Sequence, residues 1–349
     1  MTDATREIEE IKKEIERNFY VYDVREIPGG LRFYVLPEDS GDIQSQIALA
    51  RIAAMARNYD VSAGWHLGEA VIEIKRRKER IWINIVLLIA TFISTTLIGS
   101  TFYENFDIAG GVVFSLSVLF VLGSHEMGHY FAAKRWGLKT SLPYFIPFPT
   151  IIGTLGAVIK HRGPIPNRRA LFDVGVSGPL VGIVAAIIVT FIGLNLKHTP
   201  PSAGGYEIGI PPLFYLITMA TGFEGGYIHP VAFAGWVGMF ITALNMLPVG
   251  QLDGGHVLRA MIGKKSEMVS KIVPICLIIL GYVVEINMGT GSGSIWVLWG
   301  LITLFFSMHP HPSPIDDETP LDRKRVVLGI VAFVIAALCF TPAPILAIR

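Results

Sequence analysis

Charged residues are scarce in this sequence. Asp, Glu, Lys and Arg make up 16% of its 349 residues, whereas a soluble domain has about 25%. Hydrophobic residues make up 52%, so an ordinary soluble enzyme is excluded and a membrane protein is indicated. An excess of either charge is also missing, because the formal net charge is +1. We therefore expect no nucleic-acid partner.

Cysteine is rare as well. The two cysteines, Cys276 and Cys339, both lie in apolar segments. Packing as small apolar residues is their expected role, and neither a disulfide framework nor a cysteine-ligated zinc site is indicated. Residues that could carry chemistry must then be sought among the histidines and carboxylates.

The first 79 residues are the one sizeable polar region. Residues 7–19 carry apolar side chains at helical spacing, and residues 21–36 alternate about a Pro28-Gly29-Gly30 turn. A second helix is predicted over residues 43–57 and a strand over residues 69–74. We expect a small soluble α+β domain over residues 1–79 and a membrane-embedded domain over residues 80–349. No catalytic arrangement of side chains is visible in the first of these.

Long apolar stretches predict a mainly α, polytopic helical membrane protein. Basic residues at 75–80 and at Lys134-Arg135 flank the first two stretches, so the positive-inside rule places the N-terminal domain in the cytoplasm. Gly175 and Gly178 in the third stretch are expected to allow close helix packing. The predicted crossings number about seven, with six or eight as alternatives: 81–99, 108–133, 170–194, 230–247, 269–284, 294–308 and 326–346.

An apolar segment after the second crossing is broken by prolines. Residues 142–149 contain Pro143, Pro147 and Pro149 and so cannot form a regular spanning helix. Residues 151–159 have the pattern of a short extended stretch. Together they predict a re-entrant β-like hairpin beside the site, with a strand edge that could pair with an unwound substrate. An interfacial loop without a substrate role is the alternative.

The second apolar stretch contains the sequence His125-Glu126-Met127-Gly128-His129. Residues four apart lie on one face of a helix, so both imidazoles can reach one metal ion, and Glu126 can act as a general base. Such polar groups cost several kcal/mol at bilayer depth unless they are paired, hydrated or bound to metal. A purely structural polar network is the alternative. The predicted site lies within the membrane, towards its cytoplasmic side.

A third metal ligand is predicted at Asp253. This carboxylate lies at the end of the fourth apolar stretch, which returns to the same side of the membrane as the two histidines if the crossings are counted in order. The basic residues Arg259, Lys264 and Lys265 follow it and support that side. A helix cap or turn is the alternative role for Asp253, and His256 is a rival ligand.

Two motifs together identify a family. H-E-x-x-H at 125–129 and N-x-x-P-x-x-x-L-D-G at 245–254 resemble the site-2 protease family of intramembrane zinc metalloproteases, and the likeness covers residues 81 to about 285. The segments 153–157 and 176–180 also look like parts of that family. The polar N-terminal region, with no recognisable PDZ insertion, is similar to the plant-plastid and archaeal-like branch.

The resemblance implies specific roles for the residues of both motifs. Glu126 would be the base, and Asn245 would lie near the metal and hydrogen-bond the scissile carbonyl or its oxyanion. Three residues would hold one zinc ion per chain: His125, His129 and Asp253. Four residues would help to keep the substrate extended: Gly153, Thr154, Leu155 and Gly156.

The predicted function is hydrolysis of peptide bonds within or near transmembrane segments of membrane-protein substrates, that is, regulated intramembrane proteolysis in the lipid bilayer. Two alternatives stay open. One is a channel or transporter that uses the polar intramembrane residues as an ion path. The other is a non-catalytic adaptor that binds transmembrane segments and holds a structural metal. The sequence indicates no oligomeric state.

Overall fold

The computed structural model describes most of the chain. The helix predicted over residues 43–57 has only residues 48–49, 52 and 56 in the described part, and residues 77–79 of the basic run lie outside it. The described residues are 3–36, 48–49, 52, 56, 59–76, 80–162, 165–197, 207–289, 291–308 and 314–346.

The N-terminal region packs one helix, α1 (Asp3–Asn18), on an antiparallel sheet. Ile11 and Ile15 lie one helical turn apart and are buried with Phe33 and Ile72 of the sheet. The strands lie in the order β1-β2-β4-β3, and β3 was not predicted from the sequence. Their bounds are Val21–Ile27 (β1), Gly30–Val35 (β2), Tyr59–His66 (β3) and Glu69–Arg76 (β4). The limits of a separate domain stay a prediction.

Apolar helices make up most of the remaining chain. In chain order they are α2 (Ile81–Ser100), α3 (Ile108–Arg135), α4 (Arg168–Leu194), α5 (Pro212–Thr221), α6 (Pro230–Asn245), α7 (Asp253–Ile262), α8 (Ser266–Met288), α9 (Ser294–Met308) and α10 (Arg323–Leu338). Among the described residues, four stretches are long and apolar enough to cross a membrane: α2, α3, α4 and the continuous stretch from α7 to α8. The predicted helical membrane protein is confirmed, whereas six to eight crossings stay a prediction.

Helix α4 lies at the centre of the helical region. It contacts α3, α6 and α7, and α3 in turn contacts α2. Small residues permit this close approach, because a Cβ atom added to Gly128 of α3 would lie 2.6 Å from the carbonyl oxygen of Ser177 in α4. The backbones of α3 and α4 are therefore in contact where the C-terminal third of α3 meets the N-terminal half of α4.

The proline-broken segment forms a β-hairpin. Strands β5 (Lys139–Thr140) and β8 (His161–Arg162) pair at its base, and β6 (Tyr144–Pro147) pairs with β7 (Thr154–Val158). Gly153, in the turn, has φ +79°, and a Cβ atom there would lie 2.7 Å from the Cα atom of Thr95 in α2. The hairpin thus lies directly on α2, while its depth in a membrane stays a prediction. Two short strands, β9 (Glu207–Ile208) and β10 (Ile345–Leu346), pair elsewhere.

Candidate metal centre

Three side chains from two distant helices converge on one point. The Nε2 atoms of His125 and His129 in α3 lie 3.1 Å apart. The Oδ2 atom of Asp253, the first residue of α7, lies 3.2 Å from each of them. Both histidines are buried, and the side chain of Asp253 is 16% exposed. Within the described part of the chain, this is the group of His, Cys, Asp and Glu residues whose ligand atoms could share a metal ion.

The arrangement fits a divalent cation. A tetrahedral metal with bonds of about 2.0–2.2 Å separates its ligand atoms by roughly 3.3 Å, close to the spacing found here. The Nδ1 atom of His129 lies 2.7 Å from the carbonyl oxygen of Val174, which can only accept, so Nδ1 carries the hydrogen. In the neutral ring, Nε2 then points a lone pair at a carboxylate oxygen. A cation between these two acceptors relieves their repulsion.

One face of α4 is shaped around the two imidazole rings. A Cβ atom on Gly178 would lie 2.0 Å from Nε2 of His129, and one on Gly182 would lie 2.9 Å from Nδ1 of His125. The same row of α4 contains Val174, whose carbonyl fixes the His129 ring. From its place in the sequence, Gly178 was expected only to allow helix packing. The spacing of four between these glycines, equal to that of the histidines, was the signal that could have revealed more.

The turn between α6 and α7 sets the position of Asp253. A Cβ atom on Gly254 would lie 2.1 Å from the carbonyl oxygen of Met246, so only glycine fits directly after the ligand. The N-cap residue of α7 is Leu252, and the Asp253 carboxylate turns to the histidines. A capping role for Asp253 is therefore not seen. His256, the rival ligand, is not part of the group.

Glu126 and Asn245 lie at the edge of this group. Glu126 is buried, with 8% of its surface exposed, and its carboxylate interacts with the charges of His129 and Asp253 and with the backbone of Ile159. The Nδ2 atom of Asn245, the last residue of α6, lies 3.3 Å from Nε2 of His125. Both polar side chains thus adjoin the three converging side chains.

The four residues predicted to hold a substrate lie in the hairpin. Thr154 is buried and donates from Oγ1 to the carbonyl oxygen of Ile146 at 2.8 Å, and it accepts from the N–H of Gly156 at 3.0 Å. Leu155 is 59% exposed. Strand β7 pairs with β6 along one edge, and no strand of the described chain pairs with its other edge. Ile159 follows β7, which brings the end of the hairpin to Glu126.

Comparison with known proteins is consistent with this geometry. The family model of peptidase family M50 matches residues 113–284. The chain is 32% identical to probable zinc metalloprotease EGY1, chloroplastic, of Arabidopsis thaliana over 241 residues, which cover 64% of this chain and 42% of that protein. It is 28% identical to probable zinc metalloprotease EGY2, chloroplastic, of Oryza sativa subsp. indica over 275 residues, or 75% of this chain and 47% of that protein.

A third relative is similar to the chain over a comparable length. The chain is 28% identical to probable zinc metallopeptidase EGY3, chloroplastic, of Arabidopsis thaliana over 288 residues, or 74% of this chain and 48% of that protein. The chain thus spans less than half the length of these relatives, and no solved structure matches it. Both sequence motifs lie inside the matched residues and their side chains meet in space, which together indicate a protein of the M50 type, similar to the site-2 protease family.

Proposed function

We propose that this chain is an intramembrane zinc metalloprotease that hydrolyses peptide bonds within or near transmembrane segments of membrane proteins. The observation that carries the proposal is the convergence of His125, His129 and Asp253 beside a buried Glu126, on apolar helices. Three protein ligands leave a position open for substrate or water, as in catalytic sites. The relatives are themselves named as probable zinc metalloproteases.

Zinc suits the two imidazoles and one carboxylate. A zinc ion held there would supply Lewis-acid polarisation of a peptide carbonyl and a water that loses its proton near neutral pH. The carbonyl oxygen of Val174 holds the His129 ring so that the lone pair of Nε2 is available to the metal. Gly178 and Gly182 leave room for both rings in their ligating positions.

Glu126 acts as the general base and then as the general acid. It lies one residue from His125, and its carboxylate faces the charges of His129 and Asp253. It accepts the proton of the attacking water and later delivers that proton to the leaving amine. Asn245 contributes its amide N–H groups on the other side of His125, where they can hydrogen-bond the oxyanion of the scissile carbonyl.

The free edge of β7 receives the substrate as an added strand. A helical segment hides its carbonyls in hydrogen bonds, so the substrate must unwind before cleavage, and an extended peptide needs partners for its backbone groups. The hairpin offers such partners next to Glu126, with Leu155 exposed. Gly153 and Thr154 fix the hairpin to α2 and to β6.

The same proposal includes an orientation in the membrane. Lys134 and Arg135 end α3, Arg168 and Arg169 begin α4, and Lys264 and Lys265 follow α7. By the positive-inside rule these ends, and with them the N-terminal region, face the cytoplasm. His129 lies six residues before the end of α3, so the metal site is about 9 Å below that end.

The test is cleavage of single-span candidate substrates by the purified full chain, with and without a chelator. Glu126→Gln should keep its metal but lose cleavage by at least about a hundredfold, because the ligands remain while the base is gone. The matched control Glu224→Gln removes an exposed carboxylate far along the chain. It should change neither the metal content nor the cleavage rate.

The alternatives predict different results. A channel or transporter would give ion flux that does not depend on Glu126, and a non-catalytic adaptor would bind single-span proteins without producing new termini. Cleavage by the Glu126→Gln chain at the wild-type rate would refute the assigned base. Metal-independent cleavage would refute the metalloprotease.

A further inference from the structure

A groove of about 1320 Å³ runs along α3, α4 and α10, and none of the metal ligands lines it. Side chains of all three helices form its walls. The walls are apolar and open to the outside. Their exposed members include Phe120 (51% exposed) and Phe131 (63%) of α3, Val181 (43%) of α4 and Leu328 (40%) of α10.

Charged residues gather at one end of the groove, which we call the mouth. Helix α3 ends there at Arg135, which Trp136 follows. Asp173 lies in the second turn of α4, and Arg325 lies in the first turn of α10. Because charged residues and a tryptophan at the ends of apolar helices lie at the level of the lipid headgroups, the mouth faces the membrane surface. The apolar walls then extend into the hydrocarbon region.

The two carboxylates of the mouth are already occupied. Arg325 donates two hydrogen bonds to the Asp173 carboxylate, at 2.7 and 2.8 Å, and Trp136 donates a third to it at 3.0 Å. Arg325 also binds Asp322 at 2.5 Å. Neither carboxylate therefore presents a free negative charge to a ligand.

Two cations of the mouth remain available. Arg135 and Lys324 both line it and are exposed, and neither forms an ion pair within the described part of the chain. Counting the five charged lining residues, three cations against two carboxylates leave the mouth with a net charge of +1. A ligand that suits this groove has a negative head and a long apolar tail.

We propose that the groove binds an anionic phospholipid, whose headgroup contacts Arg135 and Lys324 and whose acyl chains lie along Phe120, Val181 and Leu328. Basic pockets between membrane helices at the headgroup level are suited to such lipids. A bound lipid would fill the gap between α3 and α10, on the side of α3 away from His125 and His129. The proposal does not depend on proteolysis.

Binding can be measured by native mass spectrometry on the delipidated full chain in detergent. Phosphatidylglycerol should be retained, and phosphatidylcholine, which has the same tails but no net charge, should be retained much less. Arg135→Gln/Lys324→Gln should weaken phosphatidylglycerol binding about thirtyfold, since each cation near a headgroup contributes on the order of a factor of five. The matched control Lys264→Gln/Lys265→Gln removes two exposed cations outside the groove and should leave binding unchanged.

A second pair of variants tests the tails. Val181→Trp fills the apolar part of the groove and should lower phosphatidylglycerol binding without altering the mouth. Val184→Trp makes the same change three residues further along α4, at an exposed position outside the groove. It should leave phosphatidylglycerol binding unchanged. Thermal unfolding of each variant shows whether it is folded.

Four results would overturn the proposal. The first is equal retention of both lipids, and the second is full binding by the Arg135→Gln/Lys324→Gln chain. The third is competition by glycerol phosphate as strong as by the intact lipid, which would mean that the tails are not bound. A copurifying protein helix in place of lipid would likewise count against it.

Discussion

Gly178 shapes the metal centre through the side chain that it lacks. Its Cα faces the coordinating nitrogen of His129, and no other residue type fits there, because a Cβ atom would lie 2.0 Å from that nitrogen. If a metal is bound there, its affinity would thus depend on a residue that cannot itself be a ligand. Gly182 also leaves room for a ring, with a smaller clash if it is replaced, because its added Cβ would lie 2.9 Å from the His125 ring.

Gly178→Ala should therefore displace the His129 ring and lower metal affinity by at least about tenfold, the usual loss when the support of a ligating histidine is removed. Metal content after dialysis measures this directly. The control is Gly123→Ala on the same helix as the histidines, where the new Cβ would make an ordinary contact at 3.6 Å with Phe145. Full metal content in the Gly178→Ala chain would contradict the packing described here.

At the scale of elements, the hairpin and α2 act as one unit. The side chain of Asn84 in α2 donates to the carbonyl oxygens of Leu142 and Pro143, both at 2.9 Å, and the turn at Gly153 lies on the α2 backbone. Strand β7 is thereby held at a fixed place beside α3. Pre-organisation of this edge would reduce the entropy lost when a substrate strand binds.

Gly153→Ala should push the hairpin away from α2. The new Cβ would lie 2.7 Å from the Thr95 Cα, in a left-handed conformation that also costs about 1 kcal/mol. We expect slower substrate cleavage with unchanged metal content. Gly137→Ala is the matched control, since Gly137 has φ +69° but open space around it. If both variants cleave equally well, the hairpin has no part in substrate binding.

The sequence predicted the elements whose signal is local. The His125–His129 spacing predicted that the two imidazoles share one helix face, and the prolines of residues 142–149 predicted the hairpin, because helical period and backbone chemistry act over a few residues. That the two histidines bind a metal stays a proposal. Strand β3 was missed, since its Val61–Trp65 stretch contains an alanine and a glycine, which are both depleted in strands. The Arg325–Asp173 pair joins residues 152 apart in sequence, which no local pattern can reveal.

At the scale of the whole molecule, the metal centre joins two halves of the chain. Asp253 is separated by 128 residues from His125 and by 124 from His129. A metal ion there would link α3 to α7 directly, in addition to the contacts that both make with α4. An ion that binds only the folded chain stabilises it in proportion to the logarithm of its concentration.

Removal of metal with a chelator should accordingly lower the Tm of the full chain in detergent. At free zinc a hundredfold above Kd, the loss corresponds to about 3 kcal/mol. Asp253→Ala should start from the lower Tm and show no further change with the chelator. An equal drop in that variant would mean that the stabilising ion is bound elsewhere.

The wide separation of the ligands also has a consequence for biosynthesis. While the ribosome has produced the chain only as far as α6, the nascent protein has both imidazoles but not the carboxylate that completes their group. The chain could then hydrolyse peptide bonds only after the turn at Gly254 has formed and α7 has reached α3. A chain still being inserted would thus be harmless to its neighbours in the translocation machinery until its architecture is nearly complete.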